Sequence, residues 1–137
     1  MAEFERSKTF PALPELVFDQ VGEVALADRW LPHELHVRPE EPPAVTVHED
    51  RSGEDAAGLF RAEPEQLRVE WGTRDDGRYA GWLQVAGTGS GASEVTVHLS
   101  FFDENHAPSE EIVNEALDES LDRLDEQVRL RVTHTGG

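Results

Sequence analysis

Ser109-Glu110-Glu111-Ile112-Val113-Asn114-Glu115-Ala116-Leu117-Asp118-Glu119-Ser120-Leu121-Asp122-Arg123-Leu124-Asp125-Glu126-Gln127-Val128 is the stretch that decides the fold. Val113, Leu117, Leu121, Leu124 and Val128 follow one another at intervals of four, four, three and four. Ile112 and Ala116 widen the row into a stripe. That is the period of an amphipathic helix with one buried face. Ser109 is placed to cap the free backbone N–H groups, and Glu110 and Glu111 sit at the positive end of the helix dipole. Glu115, Asp118, Glu119, Asp122, Asp125 and Glu126 fall on the other face, which the pattern assigns to water. A stripe of this length needs a broad apolar surface to lie on.

The preceding chain supplies one as strands. Leu67, Val69 and Trp71 alternate with polar neighbours, as do Tyr79, Gly81, Leu83 and Val85, and then Val95, Val97, Leu99 and Phe101. A period of two gives each strand one dry and one wetter face. Asp75-Asp76-Gly77 is a hairpin signal and Gly87-Thr88-Gly89-Ser90-Gly91 a flexible hairpin loop. Further upstream, strands are expected over Phe4–Phe10, His33–Arg38, around Val45 and Val47, and over Leu59–Ala62, with a polar loop from Glu49 to Gly58. Between the first two lie two short helices. The first opens at Pro14, a residue favoured at the first helical position, and the second covers about Glu23 to Arg29. Consecutive strands joined by short turns imply an antiparallel sheet and an α+β domain over residues 1–132, with residues 133–137 as a frayed tail.

The totals narrow the function. The chain has 137 residues and a formal net charge of −17, which argues against nucleic acid and anionic membrane surfaces as partners. It has no cysteine, hence no disulfide framework and no thiolate metal site, in keeping with a cytoplasmic location. No segment approaches the roughly 20 apolar residues of a membrane span. No Gly-x-Ser-x-Gly pattern supports nucleophilic catalysis. His33 and His36 point to opposite faces of a strand, so they form no joint metal site, and no metal or cofactor is expected.

Pro11-Ala12-Leu13-Pro14-Glu15-Leu16-Val17-Phe18-Asp19 followed by Trp30-Leu31-Pro32 resembles the opening of the START-related SRPBCC superfamily, which includes polyketide cyclases and lipid-transport proteins. Val69-Glu70-Trp71, Tyr79-Ala80-Gly81 and Ser93-Glu94-Val95-Thr96-Val97 are similar to its last three strands, so that the resemblance spans residues 3–131. It implies a helix-grip fold: a curved seven-stranded antiparallel sheet around a long C-terminal helix, with an apolar cavity between them. It also implies a ligand class of lipids, polyketides and other apolar molecules.

The expected function is therefore binding of a small hydrophobic or amphipathic ligand by a monomer or homodimer without membrane insertion. The expected wall is Trp30, Leu35, Leu59, Trp71, Leu83, Val97 and Leu99, and the expected lid is Leu117, Leu121 and Leu124. Tyr79 and Arg61 are the polar residues expected to orient a substrate if the protein is instead a polyketide cyclase or dehydratase. The inward rows are almost wholly apolar, so no catalytic residue is assigned. A third reading is a filled core, with function carried by protein contacts through Trp82 or the acidic helix. Gly81, inside a strand, is expected to make room for the long helix or for a ligand.

Overall fold

The computed structural model describes residues 2–31, 35–50, 53–73, 79–102 and 109–136, the last five as backbone only. The strands are β1 (Ala2–Phe10), β2 (Leu35–Pro39), β3 (Ala44–Glu49), β4 (Glu54–Glu63), β5 (Arg68–Thr73), β6 (Tyr79–Gly87) and β7 (Ser93–Phe101). They form one antiparallel sheet of seven strands in the order β1-β7-β6-β5-β4-β3-β2. Helix α1 (Pro14–Val21) and a 3-10 helix (Val24–Arg29) connect the two edge strands, β1 and β2. Helix α2 (Glu110–Gly136) lies across the sheet, giving the helix-grip architecture.

Directly paired residues share a face, so the register decides what α2 meets. One inward row runs Phe4, Leu99, Gly81, Trp71, Phe60 across β1, β7, β6, β5 and β4. The next runs Arg6, Val97, Leu83, Val69, Ala62. Val69, Leu83, Val85, Val95, Val97 and Leu99 join Val113, Leu117, Leu121, Leu124 and Val128 of α2 in one buried core. Phe10, Val17, Phe18 and Val21 close that core at the α1 end. There Ser93 donates its hydroxyl to the Ala12 carbonyl, fully buried, at 2.6 Å. The Ser109 hydroxyl accepts the Ile112 N–H at 3.3 Å, as the sequence leads one to expect of a cap.

The structure corrects several sequence expectations. Strand β4 begins at Glu54, so much of the stretch read as a polar loop is strand. Its first residues pair with Val45–Glu49 of β3, and that ladder overrides the weak strand preference of Ala56, Ala57 and Gly58. Leu67, read as part of a strand, is left-handed (φ 53°) and ends the 3-10 turn Pro64–Gln66. Helix α2 continues to Gly136 over the residues assigned to a tail. Nor is its acidic side simply a solvated face. Asp118 accepts two hydrogen bonds from Arg6, at 2.9 and 2.7 Å, and Lys8 bonds Asp122 at 2.7 Å. These basic residues of β1 fasten one flank of the helix to the sheet edge. The Asp75-Asp76-Gly77 signal lies outside the described residues, although β5 and β6 on either side of it are paired antiparallel.

Candidate functional site

Inside the grip, the two ends of the sheet differ. At the end near α1, the space between sheet and helix is filled by the protein's own side chains: Phe10, Val95, Leu124 and Val128 are all fully buried. At the other end, where β5 and β7 finish and β6 begins, the inward aromatic residues Phe4, Trp71, Tyr79 and Phe101 are only half-buried, with Trp30 buried beside them. Trp30, at the end of the 3-10 helix, meets Trp71 edge-to-face with ring centroids 6.5 Å apart. Trp71 donates its indole N–H to the Tyr79 hydroxyl at 2.7 Å. The Tyr79 ring lies 5.1 Å from Phe101, whose ring meets Phe4 at 5.9 Å. Together these rings make a continuous aromatic wall.

Gly81 is what lets Trp71 lie flat in that wall. A Cβ at Gly81 would stand 2.6 Å from the Trp71 indole, far inside van der Waals contact. The glycine therefore makes room for a neighbouring indole, rather than for the helix or a ligand directly.

Two polar handles stand in the wall. Trp30 is 2% exposed, and its indole N–H has no hydrogen-bond partner among the described residues. A buried donor left unpaired costs free energy, so an acceptor there would be favoured. The Tyr79 hydroxyl accepts from Trp71, which leaves its own proton free to be donated. Burial pushes its pKa up to about 12, against a smaller opposing effect of the Trp71 hydrogen bond. At neutral pH Tyr79 is thus a neutral phenol, able to donate to an oxygen but not to act as a base.

Helix α2 sets the position of Trp30 from behind. The buried Ser120 hydroxyl donates to the Trp30 carbonyl at 2.8 Å. Arg123 donates to the Leu31 carbonyl and, at 3.0 Å, to that of Asp28. Sequence reasoning missed both residues; Ser120 sits beside Leu121 on the edge of the apolar stripe, and nothing local marks its partner.

Of the residues expected at the wall, Trp30, Trp71, Leu83, Val97 and Leu99 are gathered with Leu117, Leu121 and Leu124 in or against one cluster, and Tyr79 packs against it. Leu59 and Arg61 are not. Phe60 pairs with Trp71 and Ala62 with Val69, so β4 turns Leu59 and Arg61 to the opposite face. The strand is one residue out of the frame expected from its sequence, and Phe60 rather than Leu59 takes the inward place. Arg61 thereby faces away from α2 and the aromatic wall. Leu35 shares the inward face through Val37, Val47 and Ala56, but it lies on the far edge strand and outside the core cluster. Trp82 does lie on the outer face, as strand parity predicts.

A separate groove of about 360 Å³ opens on the flank between β1 and α2, lined by Lys8, Asp122, Asp125, Glu126, Arg129 and Leu130. It is a charged surface feature outside the aromatic wall. Among the described residues no three histidine or acidic side chains are disposed to hold a metal ion. Nor is any described helix long and apolar enough to cross a membrane.

Comparison with solved structures matches this architecture to proteins of low sequence identity. XoxI from Bacillus cereus superposes with a TM-score of 0.75 at 18% identity, covering 93% of this chain and 96% of that one. The ZhuI aromatase/cyclase from Streptomyces sp. R1128 gives 0.74 at 15% identity, with 99% and 98% covered. The di-domain aromatase/cyclase BexL, from the BE-7585A biosynthetic pathway, gives 0.72 at 18% identity, with 97% of this chain on 48% of that one. These likenesses establish the shared fold. No curated protein sequence was found to match. The sequence model of one family matches residues 1–129, nearly the whole chain, and the protein therefore belongs to the polyketide cyclase / dehydrase and lipid transport family.

Proposed function

We propose that this protein binds a small amphipathic molecule, polyketide-like or lipid-like, against the aromatic wall between the sheet and α2. The observation that carries this reading is the buried indole N–H of Trp30, unpaired among the described residues and set beside Trp71 and the donor hydroxyl of Tyr79. A ligand with an apolar body and an acceptor oxygen would satisfy that donor while covering half-buried rings. Apolar burial at about 25 cal/mol per Å² would supply most of the affinity. Leu83, Val97, Leu99, Leu117, Leu121 and Leu124 would form the floor and lid behind the rings, and the lack of cysteine suits a cytoplasmic site.

A second reading has one specific observation behind it. Tyr79, kept neutral by burial and steadied by Trp71, could orient a substrate carbonyl for cyclisation or dehydration in the same place. Two of the three solved structures compared above are aromatase/cyclases, which is consistent with that chemistry.

Native mass spectrometry of freshly purified protein, with its organic extract analysed alongside, tests the binding reading. A co-purifying amphipathic molecule is the expected result. Uptake of the neutral apolar dye N-phenylnaphthylamine then tests the location. Trp71→Ala should weaken it by about tenfold or more, equivalent to about 1.4 kcal/mol, and Trp82→Ala by much less. Equal losses, or the reverse order, would remove the aromatic wall from the binding site.

A further inference from the structure

The segment that carries Trp30 is held on two sides by different chemistry. On the α2 side the bonds come from the Ser120 hydroxyl and the Arg123 guanidinium, both donating to backbone carbonyls. On the other side the 3-10 helix is seated on the open edge of β2. There Asp28 accepts the Val37 N–H at 2.7 Å, covering an edge donor, and its second oxygen lies 3.6 Å from His36 Nδ1.

His36 does not stand alone. It pairs directly across the ladder with His48, and His48 with Asp55 of β4, so the three side chains form one row on the outer face. Asp50 lies between the imidazoles, 2.9 Å from His36 Nε2 and 3.5 Å from His48 Nε2. Asp55 is 2.6 Å from His48 Nδ1. Every ring nitrogen of the two histidines thus faces a carboxylate, and Asp28, Asp50 and Asp55 surround them. Other charged groups nearby among the described residues are Glu49 and Glu54, paired across β3 and β4, and Arg38, held by Glu40 at 3.0 Å. With His36 neutral, Asp28 and Asp50 repel one another across it; with His36 protonated they are drawn to it.

We propose that this cluster is a proton-dependent clamp, which seats the Trp30 segment firmly when the His36 imidazole is charged and loosens it when it is not. The hydrogen bond that His36 makes to the Asp50 carboxylate is the main influence raising its pKa above the ordinary value; desolvation opposes it, and the charges of Asp50 and Asp28 add to the rise. A raised histidine value means that the added hold is complete below the ordinary histidine value and is lost as pH rises through the raised one. Any effect on ligand release rests on the binding site proposed above; the clamp itself does not.

Hydrogen exchange on the full chain tests it without a ligand. Peptides from residues 24–31 and 35–39 are compared with one from residues 95–101 of β7, each corrected for intrinsic exchange. From about pH 6 to about pH 8.5, protection of the first two relative to the third should fall roughly two- to five-fold, the scale of exposed ion pairs. In His36→Gln, an exposed site where the fold should persist, the ratio should stay flat across that range. A flat wild-type ratio, or the same fall in the variant, would overturn the clamp. Both outcomes are independent of whether anything binds at Trp30.

Discussion

Trp71 and Trp82 sit on adjacent strands of one sheet, a residue out of step in register, and have opposite surroundings. Trp71 pairs with Gly81 and lies over it on the inner face, bonded to Tyr79 and met by Trp30. Trp82 pairs with Glu70 and His98 on the outer face. It stacks on the His98 imidazole, with centroids 5.2 Å apart and planes 7° from parallel, and Arg68 lies 4.6 Å over its ring. His98 and Arg68 are themselves held, by Glu5 at 3.2 Å and Glu70 at 2.8 Å. The inner indole is placed by packing and by one hydrogen bond that leaves a donor to spare. The outer one is placed by a charged network in contact with water. A tryptophan's surroundings here follow from its face: the inner set leaves the Trp30 N–H unpaired among the described residues, whereas the outer set is engaged with charged neighbours.

Substitutions that act on one face only can break that contrast. The largest effect is expected from Gly81→Ala. Its new methyl group collides with an indole that Tyr79 and Trp30 hold in place, at an expected cost of about 1–3 kcal/mol in urea unfolding. A change below about 0.5 kcal/mol would show that Trp71 moves freely and is not a fixed wall.

Tyr79→Phe is expected to cost about 1 kcal/mol, because it strands the Trp71 N–H. The wild-type tyrosine, the chain's only one, also predicts a pH dependence. Its folded pKa of about 12 lies above the ordinary value of 10.0, so its contribution to stability is complete below the ordinary value and declines as pH rises toward the raised one. Phenolate absorbance follows this residue directly; titration at the ordinary value in the folded protein would contradict a buried hydroxyl. The smallest effect belongs to the outer face. Arg68→Met should cost about 0.5–1 kcal/mol, and that loss should shrink in a Trp82→Ala background, leaving the part that comes from the Glu70 pair.

How much could be read from the chain alone differs from element to element. The stripe of α2 and the alternation in β6 and β7 were legible because each is long enough for its period to be unambiguous, and the faces of Trp71 and Trp82 followed from parity. Strand β4 was not. Glu54–Glu63 holds apolar residues on both parities, and Leu59 and Phe60 compete for the inward place. The decision came from Trp71 opposite Phe60, a contact outside the strand's own pattern. Gly81 was recognised as a site of close approach, but the partner approaching it belongs to another strand.

The sequence by itself therefore determined the elements, their order, the buried side of α2 and the frame of its clearest strands, because hydrophobic periodicity is a local property of the chain. Only the tertiary structure decided which aromatic rings touch, that Leu59 and Arg61 face outward, that Ser120 and Arg123 hold the Trp30 segment, and that His36, His48 and their aspartates converge. Each of these depends on the register between strands or on helix placement, which is set by contacts between residues far apart in sequence and leaves no periodic mark on either partner.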